Sequence, residues 1–409
     1  MDEPDLEKAN STIPRERLRI LLIVNLHWDA RLGAIRVFME LEQAWRASGH
    51  TVERFTLDEA FPRGRVAPPI FALRQLFFGY KAAGFVKKNA DRFDVIDALI
   101  GSLHGSKERL GFGGLLVARS VGLYRLYERF ERDAQARWSR AQGNALGRSF
   151  YTIVGRWFRR ASDAAVTHAD LTNVPNEEEA DCLRQEMRRD LPITVQPYGL
   201  TEEQGQALRL SASLPEKRLG QRKISFLGMW APRKGSRDWP RIVRLVWDKI
   251  PDARFSLLGT MVDRQTILSD LGMQSSERIE VVIDYSQSDL PALLADSAVG
   301  AFPSYVEGFG IAVLEQLAAG IPTVAFDVAG PRDILGAELS GLLVPVGDAE
   351  KFATALVKIL QSNGTEYREL ARRSSDRASC FVWSEIAHDT TTIYQDRLDH
   401  IATRHSPKP

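Results

Sequence analysis

Two glutamates eight residues apart, Glu307 and Glu315, flank a glycine-bearing turn in the stretch FPSYVEGFGIAVLEQLAAGIPTVAFDVAG, residues 302 to 330. Strand character ends at Pro303, glycines at 308 and 310 let the backbone approach a ligand, and a helix is predicted to begin near Ile311. Free N–H groups at a helix start, together with the helix dipole, favour an anion such as a diphosphate. The two carboxylates cannot usefully face that anion themselves. They can accept hydrogen bonds from hydroxyl groups on either side of it. Spacing alone supports a blander arrangement equally well, a glycine-containing loop with one solvated and one helical glutamate.

The same stretch resembles the E-x7-E signature of retaining glycosyltransferases of family 4, including the trailing helix, A-A-G-I-P, strand and glycine. The resemblance implies that Glu307 contacts the sugar of a nucleoside diphosphate sugar donor. It also implies that Gly308, Phe309, Gly310 and Ile311 supply backbone N–H groups to donor phosphate and sugar, and that Glu315 holds the ribose. A second stretch, FLGMWAPRKGS at 226 to 236, resembles the family's G-R-L-x-x-x-K-G and gives Lys234 the part of the diphosphate-binding lysine. The family's arginine, due directly after Gly228, is Met229 here, so the diphosphate site lacks one positive charge. Arg233 or Arg237 could supply it from a neighbouring position. In NLHWDARLGA, Asn25 to Ala34, Gly33 and Ala34 stand where the family often has two glycines of a donor- or acceptor-binding loop. His27 and Trp28 in that loop could meet an acceptor sugar, or Trp28 could simply pack.

Many relatives carry a histidine beneath the donor sugar in a segment like R-S-H-G-L-E. This chain reads Arg119, Ser120, Val121, Gly122, Leu123, and Val121 can neither donate nor accept. His104, in the loop after a strand ending near Ile100, is the nearest polar replacement, although a lone loop histidine more often faces solvent. The retaining mechanism implied by the resemblance lets the leaving diphosphate assist the acceptor, with the protein mainly positioning charge. No D-x-D triplet occurs, so metal-independent transfer is expected, with no cofactor and with Lys234 and the helix start near Ile311 neutralising the leaving group. Cys182 and Cys380 have no nearby His or Cys at metal-ligand spacing, which speaks against a disulfide framework or a zinc site.

The elements that must position these groups read as α/β. Leu18 to Asn25 is a continuous apolar run of strand length, followed by a helical pattern at Ile35, Phe38, Met39, Leu41 and Trp45, and by a strand at Thr51 to Leu57. Further strands are predicted at Phe93–Ile100, Leu115–Ala118, Ala164–Thr167, Leu171–Val174 and Ile193–Val195. Leu200 to Arg222 is polar and is read as a linker. The pattern then restarts, with strands at Lys223–Leu227, Arg254–Leu258, Ile279–Ile283, Gly300–Pro303, Thr323–Phe326 and Gly341–Val344, and a closing helix over about Trp383–Ile401.

A length of 409 residues suits two cores better than one. Together with the resemblance this gives the GT-B architecture, two Rossmann-like domains facing each other across a cleft. Residues 16–205 form the acceptor-binding domain and 220–384 the donor-binding domain, and a helix over about 385–405 packs back on the first.

The formal net charge is +1, yet residues 63 to 160 carry 19 basic and 7 acidic side chains. Within that excess, IFALRQLFFGYKAAGFVKK at 70 to 88 mixes aromatic and basic residues, and arginines recur at roughly helical spacing from 119 to 160. Such segments suit an anionic bilayer or an anionic, lipid-linked acceptor, or an ordinary core-facing helix with a solvated basic face. No nucleic-acid recognition module accompanies the charge. The first residues, MDEPDLEKANSTIPRER, lack an apolar signal core, and no apolar run reaches the length of a membrane span. A cytoplasmic protein is therefore expected, with any membrane contact peripheral, at the inner face.

The function implied is retaining transfer of a hexosyl-type unit from a nucleoside diphosphate sugar to a hydroxyl of a saccharide or lipid-linked acceptor, in cell-envelope or exopolysaccharide assembly. Glu307, Lys234 and His104 are the catalytic candidates. Met229 and Val121 keep open an alternative, a catalytically weakened nucleotide-sugar-binding or scaffold protein of the same fold.

Overall fold

Ile20 to Val24 are fully buried along the strand they form, as apolar residues are when helices cover both faces of a parallel sheet. The computed structural model describes residues 17–29, 33–62, 64, 66–138, 145–187 and 190–405. Residues 30–32 of the first loop, the amino-terminal stretch, and Arg63, Arg65 and Arg140 of the basic region fall outside these ranges.

The first sheet contains β1 (Arg19–Val24), β2 (Thr51–Thr56), β3 (Val95–Leu99), β4 (Leu115–Arg119), β5 (Leu171–Val174) and β6 (Ile193–Val195), in the order β2-β1-β3-β4-β5-β6. The second contains β7 (Lys223–Leu227), β8 (Arg254–Leu258), β9 (Ile279–Val282), β10 (Val299–Phe302), β11 (Thr323–Phe326) and β12 (Leu343–Val344), in the order β12-β11-β10-β7-β8-β9. Every registered pair is parallel. Parallel neighbours need crossover helices, and these cover the sheets.

Three sequence-based boundaries differ from the structure. Ala164–Thr167 is not a strand but the end of a helix, Ala145–His168. A four-residue apolar run has no period of its own, and the parallel step from β4 to β5 requires a helix there. The stretch Leu200–Arg222 holds two helices, Glu202–Ser211 and Pro215–Gln221. The first starts in a capping box between Thr201 and Gln204. Gly341–Val344 is a 3-10 turn followed by the two-residue β12.

The chain passes between the sheets twice, and the two passages are hydrogen-bonded to each other. Leu200 N donates to the Phe381 carbonyl at 3.0 Å, and Trp383 N donates to the Leu200 carbonyl at 3.0 Å. Tyr198 stacks on Trp383 beside them, ring centres 5.8 Å apart.

The last helix, Trp383–His405, then lies on the first sheet's side of the molecule. Trp45 Nε1 donates to the Ala387 carbonyl at 3.1 Å. Deeper in, the fully buried Arg119 donates through Nε to Asp97, through Nη1 to Asn173 and through Nη2 to the Tyr394 hydroxyl at 2.8 Å. The Tyr394 hydroxyl donates in turn to Asp97 Oδ2 at 2.6 Å. This closed polar network ties β3, β4 and β5 to the last helix.

Candidate active site

β10 delivers the chain to a loop that ends at Gly310, the cap of the helix Ile311–Ala318. Gly310 has φ 95°, in the left-handed region that glycine enters without penalty. A Cβ on Gly308 would lie 2.8 Å from the Val121 carbonyl oxygen of the first domain, so glycine here allows the two domains to meet backbone to backbone. Asn176, buried on the first domain's side, donates through Nδ2 to the Gly308 carbonyl. The ring of Phe309 is buried against Tyr198 and Phe381 and pins the turn. Helix geometry leaves the first N–H groups after Gly310 without intrahelical partners.

Both glutamates of the turn are met by cations. Lys234, in the short 3-10 turn Pro232–Lys234 that follows β7, makes an ion pair from Nζ to Glu307 Oε1. The same Nζ lies 5.1 Å from the centre of the Phe302 ring. Burial holds the Lys234 ammonium below the ordinary lysine range in spite of Glu307, and Arg233 adds to the depression.

Glu315 is met from the other domain. Arg36, on the first helix Gly33–Ala47, donates through Nη1 to Glu315 Oε1 at 2.6 Å, and Gln287 Nε2 donates to the same oxygen at 2.7 Å. The side chains of Arg36 and Glu315 are 14% and 5% exposed. Tyr285 lies beside them, and burial, with Glu315 second, raises its phenol above the usual range.

On the opposite wall, the Val121 carbonyl lies close against Gly308, and the polar side chains around it belong to its neighbours. Ser120 Oγ donates to Glu179 Oε2 at 2.5 Å, and Leu123 N donates to Glu179 Oε1 at 3.1 Å. Burial pushes the Glu179 carboxyl up to about 7, against these two hydrogen bonds. The Tyr127 hydroxyl sits over Gly122, where an added Cβ would lie 2.7 Å from it. Burial, then Glu307, raise its phenol. Tyr127 thus places a hydroxyl beside the segment lacking the histidine, as does Tyr198, whose hydroxyl donates to the Ser120 carbonyl at 2.5 Å.

The remaining sequence-derived residues are dispersed. Arg233 turns to the Tyr127 ring, 5.7 Å from its centre, and to Met229 Sδ, while Arg237 is exposed. His104 is not brought to the glutamates. Its ring packs edge-on against Tyr80 and Trp157 and covers Gly79, and burial lowers its imidazole. A histidine walled in by aromatic rings serves packing there, which a loop position in sequence does not reveal. Gly33 is the exposed first residue of its helix, with open space where a Cβ would be. His27 bonds to Asp58 at 2.6 Å and stacks on Phe71, while Trp28 lies under Arg54. Among the described residues no group of His, Cys, Asp and Glu is arranged to hold a metal ion.

A cavity of about 350 Å³ opens between the domains at Tyr305 and Val306, the residues that precede Glu307. Phe130, Trp138 and Tyr305 supply aromatic walls, and Arg129, Arg137 and Glu178 supply charge. Arg36, Tyr127, Asn176 and Glu179 are site residues that sequence reasoning missed. For Arg36 the available signal was its place one turn into the helix after the Asn25–Ala34 loop. The other three carried none.

A model of the glycosyl transferases group 1 family matches residues 221–362, the span that contains Lys234, Glu307 and Glu315. Those residues are similar to that family. A D-inositol 3-phosphate glycosyltransferase of Salinispora tropica is 32% identical over 148 residues, 36% of this chain and 30% of that protein. The Escherichia coli UDP-Gal:alpha-D-GlcNAc-diphosphoundecaprenol alpha-1,3-galactosyltransferase is 24% identical over 213 residues, 51% of this chain and 54% of that protein. The chain therefore matches these curated relatives over 30% to 54% of their length. Over 92% of the chain the fold is similar to that of the sucrose-phosphate synthase of Thermosynechococcus elongatus, with TM-score 0.71, 19% identity and 98% of that chain covered. The two sheets and the cleft between them are thus a GT-B fold, with the group 1 sequence as its second half.

Proposed function

We propose that this chain is a retaining, metal-independent glycosyltransferase that moves a hexosyl-type unit from a nucleoside diphosphate sugar to a hydroxyl acceptor. The observation that carries the reading is the pairing of the two carboxylates of the turn with cations at a domain-spanning cleft: Glu307 with Lys234, and Glu315 with Arg36. A helix start between them suits a diphosphate. A donor's hydroxyls can take over the carboxylates on either side while its phosphates draw the cations. The group 1 match and the names of the relatives support the same donor class.

The acceptor side of the proposal rests on the cavity at Tyr305 and Val306, whose aromatic walls suit the apolar faces of a sugar and whose charged rim suits its hydroxyls. A saccharide or lipid-linked acceptor in cell-envelope or exopolysaccharide assembly fits, in keeping with the undecaprenol-linked substrate named for the Escherichia coli relative. On the helix Pro68–Asn89, Ile70, Leu73, Phe77 and Tyr80 are exposed in one stripe, with Lys81, Lys87 and Lys88 continuing it. Tyr80 is joined through His104 to Trp157, whose neighbours Arg156 and Arg160 are exposed. That face suits peripheral contact with an anionic bilayer. Among the described residues no helix is long and apolar enough to cross one.

Val121 favours a second reading, a nucleotide-sugar-binding protein with weak transfer. One experiment separates the two. Purified protein is incubated with UDP-, GDP-, ADP- and TDP-hexoses, with and without lipid extract, while nucleoside diphosphate release and thermal stability are followed. Release from at least one donor supports transfer, and stabilisation without release supports the binding protein. Neither response to any donor would overturn both.

A further inference from the structure

We propose that Arg36 is a donor-binding residue that exchanges partners: it holds Glu315 in this structure, and it turns onto the diphosphate once a donor's ribose has taken that carboxylate. The inference rests on reading the cleft as a nucleotide-sugar site, and it names a residue outside the group 1 span.

The charges around the turn motivate it. Two carboxylates, Glu307 and Glu315, face two cations, Lys234 and Arg36. Lys234 is already committed to Glu307, and Arg233 is turned to the Tyr127 ring and the Met229 thioether. Met229 itself brings no charge. Arg237, the remaining cation of the loop after β7, is exposed, so among the described residues of the second domain's two loops a diphosphate meets no partly buried cation that is uncommitted. Arg36 is the guanidinium that the first domain points into it.

The contacts of Arg36 explain how it becomes available. Ribose hydroxyls donating to Glu315 replace the hydrogen bond from Nη1, while Gln287 Nε2 still holds the same carboxylate. Arg36 is then a largely buried cation without its anion, which is costly unless another anion takes its place. The diphosphate is covalently next to the ribose, and a guanidinium fork matches phosphate oxygens two at a time. Glu40, 3.8 Å from Arg36 Nε on the same helix, is the competing resting place. If Arg36 withdrew to Glu40, it would act as a latch only, and removing it would help the donor.

Calorimetric titration of UDP, GDP, ADP and TDP, and of the corresponding nucleosides, into wild type, Arg36→Met and Arg36→Lys separates these roles. The expected result is that Arg36→Met weakens the best-bound diphosphate about tenfold or more. Binding of the matching nucleoside stays equal or tightens, because Glu315 has been freed. Arg36→Lys keeps the charge without the fork and falls between. It also carries the test if the methionine variant folds poorly. Diphosphate binding that is unchanged or tighter in both variants, or diphosphate and nucleoside weakened alike, would overturn the proposal. Wild type that binds no nucleoside diphosphate at all is a different failure, that of the functional reading itself.

Discussion

Glu307→Gln keeps the shape of its side chain, removes its charge, and dissolves the ion pair with Lys234. The two effects have opposite signs. A hydrogen bond from a sugar hydroxyl to a charged acceptor contributes about 1.5–3 kcal/mol, so losing it in the transition state lowers kcat/KM about 10- to 150-fold. Lys234, meanwhile, no longer shares its charge. Unit charges about 4 Å apart interact by roughly 4 kcal/mol at an effective dielectric near 20, and desolvation cancels much of that. Releasing the ammonium to a diphosphate should therefore tighten its binding by a factor of roughly 3 to 10. Glu307 also opposes the depression of the Lys234 ammonium by burial. In the variant that group titrates lower still, so the tightening fades as pH rises. Steady-state release of nucleoside diphosphate, paired with calorimetric titration of the same diphosphate, reads both effects. Transfer unchanged within threefold, or transfer and diphosphate binding falling together, would refute the assignment of Glu307 to the sugar and Lys234 to the phosphates.

Other expectations follow from groups around the cleft. Glu179, raised to about 7 from an ordinary 4.5, keeps its proton in the folded state after the unfolded chain has lost it. Stability from this group is present below pH 4.5 and is lost as pH rises to about 7, a loss of about 3 kcal/mol. Glu179→Gln should flatten that part of a urea-denaturation profile and be the more stable protein at pH 8; an unaltered slope would count against it. Tyr394→Phe strips the hydroxyl that both accepts from Arg119 and donates to Asp97, and should cost about 2–4 kcal/mol in the same assay. A cost under about 0.5 kcal/mol would show that the network closes without it. Phe77→Asp, on the exposed stripe, should reduce sedimentation with phosphatidylglycerol vesicles at least several-fold while leaving diphosphate binding intact. Equal sedimentation would remove that face from consideration.

Strand β1 is readable because a parallel strand buried on two sides leaves a continuous apolar run, Ile20–Val24, and β7 because its apolar residues cluster at Ile224, Phe226 and Leu227. Ala164–Thr167 reads as a strand in the sequence because four residues, three of them apolar, are too few to show a period, and only the position of β5 beside β4 decides the matter. Within the site, Glu307 and Glu315 sit eight residues apart on one loop and helix, so their relation is local and visible. Arg36 meets Glu315 from 279 residues away, and no local pattern encodes that distance. Tyr127 and Glu179 are hidden for the same reason. Each is an ordinary helix residue whose environment comes from a different strand's loop. His104 shows the reverse, a residue type suited to chemistry that the fold spends on packing.

The hydrogen bonds joining Leu200 to Phe381 and Trp383 act as an axle. Two chain passages fastened side by side permit the halves to swing about them and resist sliding. Points near an axle travel little, whatever the angle of the swing. Phe309 seats the glycine turn against Tyr198 and Phe381, one from each passage. The turn thus rides at the pivot. There the first domain already meets it, through Asn176 at the Gly308 carbonyl and Arg36 at Glu315, so any swing about the passages would shift these contacts little.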